Sequence, residues 1–511
     1  MLWTLNILLC VIAPILFKSV HGTGTTSEPQ KYALHIIDLN AEHRQLAPIS
    51  GYVQFGGNLV GDTNNGEFGE SVAIDRTGTT IVVREQGTGT IHVYENAANG
   101  WTQKGQDLTS FPIFFYLTSG RSVAISRDGS IVAVSSPNNE VVVVFEYDTS
   151  TEMWLQRGST IQGVQLDGSP IDLFGVDIAL TADGNKIAVG AWAYSTPTAD
   201  EIGFATTYFW NGIDWVREDY RGDDFSILSG LYGETTFARV GWSVTLSGDG
   251  EWFAVGMPGS GPSDSDSTRF GECRVYHYDG FIQQSNVNGG AMFGSTINDL
   301  FVDSVALNYN GSIVAVGSPG FDVDGSRRVG RVQVFRRTDQ LWIQLGSDII
   351  GDEQDDYFGT SIDLSEDGKT LVAGSVHFFS DTNPARGYAR IYKFDGTDWV
   401  IQEISRAQGF DIDGIGEFDN LGYSVAVSGD GTKVLVGAPR YDDIPSGGLE
   451  GNGLVQMWGQ TEFPTFSPIL NPLPQVGNLG TGGSPAQTSL VNRAFTWWQG
   501  AVAYLEGFLF D

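Results

Sequence analysis

The residues best placed to do chemistry in this sequence are carboxylates set close together. Asp352, Glu353, Asp355 and Asp356 form one run, and Asp411, Asp413, Glu417 and Asp419 form another, with shorter pairs at Asp264 and Asp266 and at Asp322 and Asp324. Hard oxygen ligands at alternate positions suit calcium, and Asp411-Ile412-Asp413-Gly414 is the most suggestive stretch, although the spacing does not complete an EF-hand loop. The metal candidates are therefore Asp411, Asp413, Glu417 and Asp419, and the other carboxylates are candidates for a ligand-binding face. A solvated acidic surface is the alternative, and no cofactor other than calcium is implied. Recognised catalytic patterns are missing: the chain has no Gly-x-Ser-x-Gly elbow, His-Glu-x-x-His helix, P-loop or Cys/His zinc spacing. His92 and His277 fall in strands, where structural roles are expected. Two carboxylates at the centre of a suitable fold could do acid-base work on a glycan, but the sequence does not place such a pair.

These loops need a frame, and a repeat supplies it. A strand, a Gly-containing turn and a second strand recur seven times, from Ser71, Ser122, Asp177, Ser243, Ser304, Ser361 and Ser424; SVAISRDGSIVAV from Ser122 is representative. Gly78, Gly129, Gly184, Gly250, Gly311, Gly368 and Gly431 provide the positive φ of a tight hairpin. The two strands are A and B of a blade. Segments with valine and aromatic residues at alternate positions, such as TIHVYE at Thr90 and RVQVFRR at Arg331, predict strand C. Trp placed two residues before Gln or a similar polar residue, in the segments at Trp101, Trp154, Trp342 and Trp399, predicts strand D.

The pattern predicts an all-β chain, a seven-bladed β-propeller of four-stranded antiparallel blades, whose radial packing buries both faces of each sheet. The seventh repeat ends near Leu454 without a strand D. GYVQFGGNLVGD from Gly51 matches LWIQLGSDIIGD from Leu341 in its Gln, Gly and Gly-Asp, yet precedes the first strand A. Pairing it with the last blade would close the ring and remove two exposed edges.

Phe68-Gly69, Phe174-Gly175, Phe358-Gly359 and Leu421-Gly422 precede strand A, Val-Gly-Ser-Pro or Val-Gly-Ala-Pro follows strand B at Val316 and Val436, and Gly271, Gly330, Gly387 and Gly453 open strand C. Over about residues 51 to 459 this pattern resembles the FG-GAP repeat proteins related to the N-terminal propeller of integrin α-subunits. The resemblance implies a propeller with an integrin-like role in adhesion. Calcium-binding integrin repeats resemble Asp-x-Asn-x-Asp-Gly in a lengthened A-to-B loop. Here that loop is a tight turn such as Arg127-Asp128-Gly129 or Glu366-Asp367-Gly368, so its aspartates read as hairpin residues.

A formal charge of −33, from 61 acidic against 28 basic residues, repels nucleic acid and anionic membrane and favours basic partners. Residues 1–22 carry an apolar run and small residues suited to signal cleavage, which predicts a secreted or cell-surface protein. An N-terminal extension over 23–50, the propeller over 51–459, a Pro/Gly-rich linker over 460–485 and a tail over 486–511 complete the organisation, with no membrane span in the mature chain. Cys10 lies in the signal, which leaves Cys273 as a buried thiol in a strand. Asn310-Gly311-Ser312 is the single glycosylation sequon, at an A-to-B turn.

Strand order puts A-to-B and C-to-D turns on one face and B-to-C and D-to-A connections on the other. The second set is long and acidic, as loops that carry recognition on a rigid scaffold are. The expected function is a binding or adhesion module that engages extracellular protein or glycan through this face, rather than an enzyme. A secreted carbohydrate-active hydrolase and a structural matrix or wall component are the alternatives.

Overall fold

The computed structural model describes residues 50–97, 100–109, 123–164, 170–218, 220–221, 227–228, 230–261, 270–278, 282–284, 291–295, 299–338, 341–376, 386–404, 410–442 and 450–462. The signal, nearly all of the N-terminal extension, the tail, all but the first residues of the linker, and Asp264 and Asp266 lie outside them. Seven antiparallel sheets of four main strands follow one another along the chain as the blades of a propeller. In the first blade, strands A to D are Phe68–Ile74, Thr80–Glu85, Thr90–Ala97 and Gly100–Gln103. In the last, strands A to C are Ser424–Val427, Lys433–Ala438 and Leu454–Glu462, and the outermost strand is Ser50–Gln54 from the other end of the chain, with Ser50 opposite Glu462 and Gln54 opposite Trp458. Strand C therefore runs into the stretch read as linker, because Gly459 to Glu462 have partners in Val53 to Ser50.

Strand D is short because glycine turns the chain away from strand C, and each of several blades regains a brief second pairing. Ile161–Gln162, Ile349–Ile350 and Ile412–Asp413 each rejoin the strand C they had left. The fourth sheet is wider than the repeat predicts: Tyr220–Arg221 pairs in parallel with Ile282–Gln284 and adds two short strands at its outer edge.

The sequence motifs mark the places where blades touch. Gly359 of the sixth blade has φ +91°, and a Cβ on Gly317 of the fifth would lie 2.1 Å from the Gly359 carbonyl, so both halves of the FG-GAP pattern are glycine where two backbones meet. The strand-A serines span the same seams: Ser304 Oγ donates to Gly359 O at 2.8 Å and Ser424 Oγ to Gly69 O at 2.7 Å. Three strand-D tryptophans staple the rim, the indole Nε1 donating to a carbonyl of the preceding blade: Trp154 to Lys104 (2.7 Å), Trp215 to Arg157 (2.9 Å) and Trp399 to Leu345 (2.9 Å). The glycine after each carbonyl leaves room for the ring; a Cβ on Gly105 would sit 2.7 Å from Trp154 Cδ1. Cys273 is fully buried and unbridged, and burial pushes its thiol well above the ordinary range.

One end of the axis is closed by main chain. Arg76 N donates to Arg127 O, Arg127 N to Ala182 O, Ala182 N to Gly248 O, Asp249 N to Tyr309 O, Tyr309 N to Glu366 O, Glu366 N to Gly429 O and Asp430 N to Arg76 O, at 2.8 to 3.1 Å. This circuit passes through the A-to-B turns of all seven blades and returns to its start. Within five of the turns a hydroxyl at the end of strand A and the turn aspartate fix the hairpin, as where Ser126 Oγ donates to Asp128 Oδ1 and accepts from Ile131 N. Asn310 serves its own turn in the same way, accepting from Ser312 N at 3.1 Å, with its side chain exposed.

Candidate functional site

Side chains fill the hole in the turn circuit. Glu366 reaches across the axis to Arg76 (Nε to Oε2, 3.0 Å) and Arg127 (Nε to Oε1, 2.8 Å), and the Arg127 guanidinium lies over the Tyr309 ring. Among the described residues the opposite end is open. There the residues entering strand A and those leaving strand B surround a cavity of about 320 Å³ on the face that carries the long loops. Glu70, Asp303, Thr360 and Tyr423 line both this cavity and the narrow throat beneath it, where Trp242 joins them. Leu300, Pro319, Val376 and Pro439 make the upper wall apolar, and Glu67 and Arg440 stand at its mouth.

Two acids in this cavity hold their protons unusually tightly. Burial pushes the Glu70 carboxyl up to about 7; Arg84, whose Nε is 3.7 Å away, opposes the rise and the Glu67 charge adds to it. Burial also lifts Asp303 to about 7, and the Trp242 indole offsets only part of this. Asp303 is hemmed in by protein atoms but keeps a strip of surface toward the cavity. The Tyr423 hydroxyl is raised by burial first and then by Glu70, Glu67 and Asp303, which places it close to both acids.

The loop carboxylates predicted from sequence lie elsewhere on the same face and are largely occupied by the protein itself. Asp356 is buried and accepts from the backbone N–H groups of Asp352 (2.9 Å) and Glu353 (2.8 Å) and from the Tyr388 hydroxyl (3.0 Å). Asp419, also buried, accepts from Gly416 N at 2.5 Å, and Asp299 repeats the device on Ser295. Arg390 on strand C of the sixth blade binds Asp352 from one connection and Asp411 from the next, with its Nε 2.5 Å from Asp411. Asp355 pairs with Arg328 at 2.6 Å, and Asp322 accepts from Arg328 N at 2.8 Å. Glu353, Asp324, Asp413 and Glu417 are exposed. The quartet of Asp411, Asp413, Glu417 and Asp419 does not converge, and among the described residues no three His, Cys, Asp or Glu side chains are grouped to hold a metal. His92 is bound on both ring nitrogens, to Asp107 (2.9 Å) and Glu85 (3.3 Å); His277 stacks near Trp252.

Sequence reasoning did not identify Glu70 and Asp303. Both precede the strand-A serine, at a position filled by Glu70, Arg121, Val176, Trp242, Asp303, Thr360 and Tyr423 in successive repeats, of which Arg121 lies outside the described residues. That position varies while its neighbours keep to pattern, and this was the available signal.

No protein-family model matches the chain, and no curated protein matches it in sequence. Among solved structures it is similar to hydrazine synthase of Kuenenia stuttgartiensis (13% identity, 75% of this chain and 95% of that one, TM-score 0.46). It is also similar to the Cps50 (Swd1) β-propeller domain of Myceliophteria thermophila (9% identity, 79% and 99%, TM-score 0.47) and to a functionally unknown protein of Desulfotomaculum acetoxidans (12% identity, 70% and 88%, TM-score 0.42). At these scores the likeness carries no argument about activity, and the seven-blade architecture rests on the strand pairings themselves.

Proposed function

We propose that this chain is a secreted or cell-surface binding module of the FG-GAP type, engaging an extracellular protein or glycan through its long-loop face, with the axial cavity seating a small group of that ligand. The observation that carries this reading is the polarity of the axis: a cavity of about 320 Å³ opens on the loop face, while main chain and an Arg-Glu-Arg cluster close the other end. The internally bonded acids hold the rim of that cavity in shape, which favours a preformed site.

The carboxyl pair supports binding over hydrolysis. A glycosidase needs two acids whose environments push their proton affinities apart, one staying protonated and one ionised. Glu70 and Asp303 are pushed the same way, to about 7 each.

The purified secreted chain, with Thr360→Phe as a cavity-filling variant, should be applied to arrays of glycans and matrix proteins. Specific retention that Thr360→Phe abolishes is the expected result. Retention indifferent to the variant would remove the cavity from the reading, and no retention at all would favour a structural component.

A further inference from the structure

We propose that the axial cavity is a site for a small organic cation, a primary alkylammonium group such as a lysine side chain presents, seated against Glu70 and Asp303. The inference rests on the reading of this cavity as the ligand seat and adds the chemistry of what enters it. Glu70 is 5% exposed, and its Oε2 has no hydrogen-bond partner among the described residues. A carboxyl group buried this deeply with an incomplete set of hydrogen bonds costs free energy, and a ligand in the cavity that adds a donor or compensating charge beside it recovers part of that cost. Arg84, at 3.7 Å, lies beyond hydrogen-bond reach. Asp303 has no ion pair among the described residues. Both acids line the same cavity, Glu70 with Arg84 as a loose ion-pair partner and Asp303 with none among the described residues, and a cation seated there would add compensating charge.

The remaining walls select the kind of cation. A hard divalent ion takes six to eight oxygens, and no group of three acidic or imidazole side chains is available here. Tyr423, Trp242 and Tyr357 present aromatic rings, which favour an ammonium over a neutral isostere. Leu300, Pro319, Val376 and Pro439 above them suit a short alkyl stem that leads the charge inward. The cavity lies within the span of small-ligand sites, and the field of a chain with formal charge −33 attracts cations to it.

Arg84, Glu67 and Tyr423 face Glu70, Trp242 and Tyr423 face Asp303, and Arg440 stands at the mouth. Both acids ionise near neutrality, whereas an alkylammonium keeps its proton well above it. Binding should therefore strengthen as pH rises.

Isothermal titration of the full secreted chain with n-butylammonium, and with 1-butanol as a neutral isostere, tests this at pH 6 and pH 8. The expected result is binding of the ammonium alone, tighter at pH 8 by about tenfold for each acid that must ionise. Glu70→Gln and Asp303→Asn should each weaken it by about tenfold or more and reduce the pH dependence, with thermal unfolding showing both variants folded. Equal binding of the alcohol, or ammonium binding unchanged in both variants, would overturn the proposal. If Thr360→Phe abolishes retention on the arrays while butylammonium does not bind, the cation is refuted and the cavity stands as the ligand seat; if array retention ignores Thr360→Phe, the cavity falls as the ligand seat and the cation proposal falls with it.

Discussion

Replacing Glu70 by Gln should stabilise the propeller, but only at alkaline pH. The Glu70 carboxyl is held at about 7 against an ordinary value of 4.5. The folded state therefore binds its proton more tightly than the unfolded chain does. Its contribution is fully present below about pH 4.5 and is lost as pH rises through 7. At 1.36 kcal/mol for each tenfold change in proton affinity, ionised Glu70 costs roughly 3 kcal/mol by pH 8. Gln has the same shape and no proton to lose. At pH 5 the two proteins should melt together; at pH 8 the variant should melt higher by roughly 3 to 5 °C, given the large unfolding entropy of a chain this long. Self-repulsion among 61 acidic residues also weakens the fold at high pH, but it acts on both proteins and cancels in the difference. Differential scanning calorimetry of the pair from pH 5 to 8 is the assay. A gap that does not grow with pH would mean that Glu70 is already ionised and solvated, and the account of the cavity would be wrong.

Four other outcomes follow from contacts described above. Glu366→Gln should cost no more than about 1 kcal/mol, because its arginine partners are two-fifths exposed, and the loss measured by urea unfolding should shrink at high salt. Asp356→Ala leaves two backbone N–H groups and the Tyr388 hydroxyl without an acceptor and should cost roughly 2 to 3 kcal/mol in the same measurement. Deleting the chain through Gly57 strips the outer strand from the last blade and bares the edge of Leu454–Glu462; the sharp melt followed by circular dichroism should broaden, and light scattering should report aggregation. Millimolar calcium or a chelator should leave the melting temperature unchanged, since Asp411 and Asp419 spend oxygens on Arg390 and on a backbone N–H and the four candidate acids do not converge.

The inner strands were legible because a Gly-containing turn between two apolar runs is a local signal, and the outer strands were legible only where tryptophan, or for the last blade the likeness of the Gly51 segment to the one at Leu341, marked them. In the third and fourth blades strand D is Trp215–Arg217 and Ile282–Gln284, which lack the Trp-and-Gln pairing. The parallel addition of Tyr220–Arg221 joins segments some sixty residues apart in sequence, and no local pattern encodes it. The acidic runs were visible as clusters, but their roles were not. Arg390 is 21 residues from Asp411 and 38 from Asp352, so a run read as a ligand surface is in part an internal brace.

The two ends of the axis explain why the site had to be found in space. At the closed end the circuit is made by backbone N–H and C=O groups, which every residue type but proline provides, so the repeat constrains the turn while its side chain remains free to become Arg76, Ala182, Tyr309 or Glu366. At the open end the FG glycine and the strand-A serine are fixed by the seam between blades, and the residue between them bears no such duty. Among the described residues, Glu70, Trp242, Asp303, Thr360 and Tyr423 at this position line one space. Repetition makes the scaffold readable because each copy restates it. The two acids of the site come from a position at which the copies differ, and Glu70 and Asp303, 233 residues apart, face a common cavity only once the ring has closed.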